Sequence, residues 1–172
     1  METERLLLRP FVAEDLEPLH EILGDAETMR FYSGPFTLDA TRDWIARNQR
    51  RYVEDGFGLW VVQERSTGVF LGDCGPTLQL VDGEPFVEIG WHVRRDRWGE
   101  GIAPEAGIGC RDWAFEHLDV ERVISLILPG NVQSRRVAEK LGMTVWRETT
   151  HADLVHLVYA IERPAGYPPS GW

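Results

Sequence analysis

Residues 86–128 constrain the fold more than any other part of this 172-residue chain. "FVEIGWHV" places apolar residues at alternate positions and reads as a strand. "RRDRWGEGIAP" follows, a basic turn with two glycines one residue apart. A helix over about residues 104–118 comes next, with Ala106, Cys110, Trp113, Ala114 and Leu118 as its apolar stripe. "RVISLIL" is continuously apolar, as a strand buried on both faces would be. Strand, helix and strand form a β-α-β unit, which commits the chain to an α/β architecture.

The flanking segments extend the pattern. "ERLLLRPF" reads as a strand, and Leu16, Leu19, Ile22 and Leu23 as the face of a helix. Thr37 suits the N-cap of a second helix, with Asp39 and Asp43 near its positive end. "GLWVVQE" and "VFLGDCGPTLQL" form a hairpin about "STG", and "DGEP" turns the chain into "FVEIGWHV". After "RVISLIL" come a short helix, "NVQSRRVAEKLG", with Gly142 as its C′ residue, and two strands, "MTVWRETTH" and "LVHLVYAIE". The order is β-α-α-β-β-β-α-β-α-β-β, one domain over residues 1–172 with no repeat or linker. Residues 163–172, rich in Pro and Gly, are expected to be a loosely held tail.

Bulk properties exclude several classes. The net charge is −10, which disfavours a nucleic-acid partner. It favours a cationic partner such as an amine, or simply solubility. There is no apolar run long enough to span a membrane and no signal-peptide pattern in "METERLLLRP", so a cytoplasmic location is expected. Cys74 and Cys110 match no metal spacing and read as buried thiols in a reducing compartment. His20, His117, His151 and His156 form no ligand pattern and read as structural or exposed.

The turn at 92–106 has the ingredients of an anion site. It is not a Walker A loop. It is not a dinucleotide fingerprint either, because Pro104 stands at the third glycine position. The local physics survives: Gly99 and Gly101 let the backbone approach a ligand, and Pro104 suits the first helical position. Free N–H groups would then converge with the helix dipole behind them. The same residues also suit a tight strand-to-helix turn with no ligand.

"WGEGIAPEA" resembles the pyrophosphate loop of the GNAT acetyltransferases, [Q/R]-x-x-G-x-[G/A], through Gly101 and Ala103. Trp98 stands where Gln or Arg is usual, which is similar to the branch holding the RimJ and RimL ribosomal-protein N-acetyltransferases. Downstream, "LPGNVQSRRVAEKLGM" resembles the family's N-x-x-S…E-K-L-G-[F/M] segment through Asn131, Ser134, Glu139, Lys140, Leu141, Gly142 and Met143. The resemblance covers about residues 4–162. It implies a mixed sheet of about seven strands with about four helices, splayed beside "FVEIGWHV" around an acetyl-CoA cleft. The cofactor implied is acetyl-CoA as co-substrate, with no metal. The diphosphate would lie on Trp98, Gly99, Glu100, Gly101, Ile102 and Ala103, with Asn131 near CoA. Arg94, Arg95, Arg97 or Arg136 would meet its 3′-phosphate. A bulge near the end of the strand would leave N–H groups at His92 and Val93 for the thioester.

Acetyl transfer to an amine needs a base, because an ammonium titrating near about 8 to 10 is no nucleophile. It also needs a donor for the developing oxyanion. Alternation puts Glu88, Gly90 and His92 on one strand face and Val87, Ile89, Trp91 and Val93 on the other. Glu88 interrupts an apolar strand and is the candidate base, with His92 the second choice. Family members often carry a Tyr acid where this chain has Ala138, and Ser134 is the candidate substitute. That hydroxyl also suits a bond to its own helix backbone. Phe31, Tyr32 and Phe36, with Trp91, are the candidate acceptor wall. The expected activity is acetyl transfer to a protein N-terminus or a small amine, by a monomer or homodimer. The alternative is an acyl-CoA-binding sensor without turnover.

Overall fold

In the computed structural model one mixed sheet carries the chain in the expected element order. The structure describes residues 1–165, so the expected tail lies, from residue 166 on, outside the described residues. β1 (Leu6–Arg9) leads into α1 (Leu16–Leu23) and α2 (Leu38–Glu54). β2 (Trp60–Glu64), β3 (Phe70–Val81) and β4 (Glu84–Val93) form the meander. Then follow α3 (Ile102–His117), β5 (Arg122–Ile127), α4 (Val132–Lys140), β6 (Thr144–His151) and β7 (Leu154–Glu162). The sheet order is β1-β2-β3-β4-β5-β7-β6. Among the described residues no helix is long and apolar enough to cross a membrane.

The parallel pair β4–β5 positions everything else. Its ladder holds at Val87↔Val123 and Glu88↔Ile124 and goes no further. Past Glu88 the backbone ladder ends: the Ser125 hydroxyl of β5 still donates to the Ile89 carbonyl, and from Gly90 to Val93 the β5-facing edge of β4 has no strand beside it. The expected bulge in β4 is not what opens this edge. β4 pairs residue for residue with β3, from Gly72↔Val93 to Val81↔Glu84. Splaying frees the backbone without distorting the strand.

Helices close both faces of the sheet. α3 presses small residues against β3 and β4; Ala106, Cys110 and Ala114 are fully buried there. The stripe expected from sequence is realised, and Cys74 and Cys110 meet in the core with their sulfurs 3.6 Å apart. Burial pushes the Cys74 thiol well up, which keeps it unreactive. On the opposite face α1 and α2 cover a second core of Leu19, Leu23, Ile45, Leu59 and Val61. Phe36, expected on an acceptor wall, instead packs into this core edge-on to Trp44. Thr37 caps α2 by accepting the Ala40 N–H, as its position predicts. Buried Asn48 fixes α2 to the sheet, its side chain accepting the Leu59 N–H and donating to the Trp44 carbonyl.

Candidate active site

Gly99 and Gly101 adopt φ of +84° and +80°, the left-handed region that a side chain would disfavour. They turn the chain from the end of β4 into α3, which starts at Ile102 rather than at Pro104. Pro104 is the third helical residue, still within the turn whose N–H groups lack helix partners, so its missing donor costs nothing. Gly101 is the N-cap and offers no side-chain cap, which leaves the first N–H groups of α3 open to an anion. Trp98 explains its own departure from the family pattern. Its indole N–H donates to the Val93 carbonyl at 2.7 Å, pinning the loop to the end of β4.

A cavity of about 360 Å³ stands over this loop. Trp98, Gly99, Gly101, Ile102, Ala103 and Val93 line it, and α4 forms the facing wall. Glu100 does not line it; its carboxylate takes the Arg97 guanidinium instead. Nor is the arginine cluster the free cationic surface it promised to be. Arg94 is bound to Asp96 and to the Phe70 carbonyl, Arg95 faces Asp25, and Arg97 bridges Glu64 and Glu100. On α4 the basic residues are Arg135, Arg136 and Lys140, and Arg135 is held by the Tyr159 hydroxyl and the Pro129 carbonyl. Arg136 and Lys140 remain. Both line the cavity, and neither makes an ion pair among the described residues.

A second cavity, about 430 Å³, lies on the other side of the parted strands. It shares Phe31, Tyr32, Trp91, His92, Asn131 and Ser134 with the first, so the two adjoin at the end of β4. Asn131 caps α4 by accepting the Ser134 N–H. The Ser134 hydroxyl makes no hydrogen bond among the described residues, so the backbone bond that would explain it structurally is not formed. Ala138, at the usual Tyr place, is fully buried.

Glu88 sits where the strands part. Its carboxylate accepts the Leu126 N–H at 3.0 Å, bridging the first residues of the gap, and lines the second cavity. Burial pushes its pKa above the usual carboxylate value, against opposing effects of the Leu126 N–H, Gln79, His156 and Arg51.

His92 is more elaborately held than sequence reasoning anticipated. Its Nδ1 lies 2.7 Å from Asp73 Oδ1, and the Trp44 indole N–H donates to Asp73 Oδ2 at 2.9 Å. Asp73 is fully buried. The ring leans on Tyr32 and Trp44, with centroids 5.2 and 5.8 Å away. With Nδ1 donating to the carboxylate, Nε2 carries the lone pair in the neutral ring. That atom is buried and has no hydrogen-bond partner. The second cavity also gathers Arg47, Arg51, His151 and His156, none of them expected there. Both histidines had been read as structural or exposed. The β6–β7 turn brings them in, and strand pairing across a hairpin was the available signal.

The sheet is thus split between parallel strands, with a helix N-terminus under one cavity and a carboxylate in the other, an arrangement with room for two substrates. The chain belongs to the acetyltransferase (GNAT) family, whose domain it matches over residues 5–144. It is 39% identical over 142 residues to the uncharacterized protein YkkB of Bacillus subtilis, spanning 82% of this chain and 83% of that one. It is 30% identical over 143 residues to the uncharacterized N-acetyltransferase p20 of Bacillus licheniformis, spanning 81% and 79%. The crystal structure of an acetyltransferase from Agrobacterium tumefaciens aligns with a TM-score of 0.83 at 29% identity, covering 94% of this chain and 93% of that one.

Arg136 and Lys140 give a direct check on the first cavity. Their combined replacement by Ala should raise KM for acetyl-CoA roughly fivefold and leave kcat in place, since surface phosphate contacts contribute about 1 kcal/mol together. Initial rates at low and high salt measure this, and the difference should shrink as salt rises.

Proposed function

We propose that the protein transfers the acetyl group of acetyl-CoA directly to a primary amine. The observation that carries this is the junction of the two cavities at His92 and Ser134, with an anion loop on one side and Glu88 on the other. The residues around the first cavity fit a CoA diphosphate: uncapped N–H groups of α3, with Arg136 and Lys140 beside them. When bound, acetyl-CoA supplies the activated acyl group.

The chain's own residues have separate tasks. Glu88 takes the proton that an acceptor ammonium must lose, with water as the intermediary. His92 accepts an N–H hydrogen bond at Nε2 and holds the amine lone pair toward the junction. The unpaired β4 edge, to which Trp91 and Val93 point their N–H groups while His92 points its own to β3, supplies backbone donors to developing negative charge. Ser134 offers its hydroxyl to the departing sulfur. A protein N-terminus and a small amine both fit this chemistry.

Direct transfer requires both substrates together. Cys74 and Cys110 lie in the core rather than on the cavity walls, so neither thiol serves as an acyl carrier. Initial-rate plots at several fixed acceptor concentrations should therefore give intersecting lines. Parallel lines would mean an acyl-enzyme and would contradict direct transfer.

A further inference from the structure

Arg47 and Arg51 are spaced four apart on α2 and both line the second cavity. Among the described residues neither guanidinium makes a hydrogen bond or ion pair. Arg47 is exposed at the cavity edge, its guanidinium 5.4 Å from the centroid of the Trp44 ring, and Arg51 is half-buried. Like charges four apart cost helix stability. Desolvation first, and Arg47 second, hold the Arg51 guanidinium below its usual value. His151 and His156 join the wall from the β6–β7 turn, 5.6 Å apart. Among the described residues Glu88 is the single carboxylate on that wall. A chain with net charge −10 thus turns a basic face to its acceptor.

We propose that the acceptor is a small primary amine that also carries an anionic group, a carboxylate or a phosphate, seated on Arg47 and Arg51. This rests on the acetyl-transfer reading above and narrows its substrate. The anion lies along α2 and the amine points toward Glu88 and His92. Binding there offsets the repulsion between the two guanidinium groups and forms charge-assisted hydrogen bonds. A cavity of about 430 Å³ suits a molecule of metabolite size. A polycation would meet two arginines and one carboxylate, which is a repulsive match.

The test uses the full chain with acetyl-CoA and matched probes. Glycine, L-glutamate and L-phenylalanine are compared with their amides, glucosamine 6-phosphate with glucosamine, and spermidine and kanamycin serve as polycations. Thiol release gives kcat/KM for each. Melting temperature with CoA present reports binding separately. At least one probe with an anionic group should exceed its partner without one by about tenfold or more. The R47Q/R51Q double variant should lose that difference while keeping KM for acetyl-CoA. The carboxylate and phosphate arms identify which anion is used. If probes without an anionic group, polycations included, are acetylated best, the inference is overturned and the transferase reading stands. If nothing is acetylated but anion-bearing probes stabilise the wild type and not the variant, the transfer reading fails and the anion site stands. If neither effect occurs, both fall.

Discussion

Replacing Glu88 with Gln should lower kcat by roughly 10²- to 10⁴-fold, the usual contribution of a positioned general base. KM for acetyl-CoA should change little, because Glu88 lines the second cavity and not the first. Gln is the right substitution because its carbonyl still accepts the Leu126 N–H that bridges the parted strands. The pH dependence follows from the direction of the shift. Burial raises the carboxyl pKa in the folded protein, so the base is lost as pH falls through a value above the ordinary carboxylate range. The wild-type acid limb should lie there, and Glu88→Gln should abolish it. Stability moves the other way. A group with a raised folded pKa favours the folded state only at low pH, and that contribution disappears as pH rises through the folded value. Glu88→Gln should therefore be at least as stable as wild type at neutral pH, with any gain vanishing in acid. If His92→Gln removes the acid limb and Glu88→Gln keeps it, the base is His92 and the roles must be exchanged.

The second large effect is expected at Asp73, which touches neither cavity. Asp73→Asn should reduce kcat by about 10²-fold, the scale of a misplaced or misoriented reacting group. An amide accepts through one oxygen and donates through its nitrogen. It can satisfy the Trp44 indole only by presenting N–H to His92 Nδ1. The imidazole proton then moves to Nε2, and a hydrogen-bond acceptor at the junction becomes a donor. Nitrogen NMR of the His92 ring should report that change of tautomer in the variant, a signature that simple destabilisation would not produce. Trp44→Phe keeps the carboxylate and removes one donor, so its effect on kcat should be only a few-fold. A full-strength Asp73→Asn enzyme would show that Asp73 only packs.

The element order was legible because period and punctuation agree in this chain. Thr37, the two loop glycines and Gly142 mark ends that the structure honours. "RVISLIL" is as apolar as its central place requires. The strand alternation around Glu88 was readable too, and it put Glu88 and His92 on the face that lines the second cavity. What stayed hidden depends on pairing between distant residues. Arg97 looked free for a phosphate, but its partner Glu64 lies on β2, next to it only after folding. Asp73 is one of many acids until the β3–β4 register sets it opposite His92. His151 and His156 join the site because β6 and β7 meet far from the motifs. Arg47 and Arg51 carried a local signal, two like charges on one helix face beside a tryptophan, but nothing local says that this face looks into a cavity.

The most direct test of the account is free-thiol release from acetyl-CoA by the purified protein, with and without a panel of primary amines, and with Glu88→Gln alongside. The account predicts release that depends on an amine, appearance of the N-acetylated amine in equal amount, and near-complete loss in the variant. Release that is equal without any amine, or equal in Glu88→Gln, would contradict it.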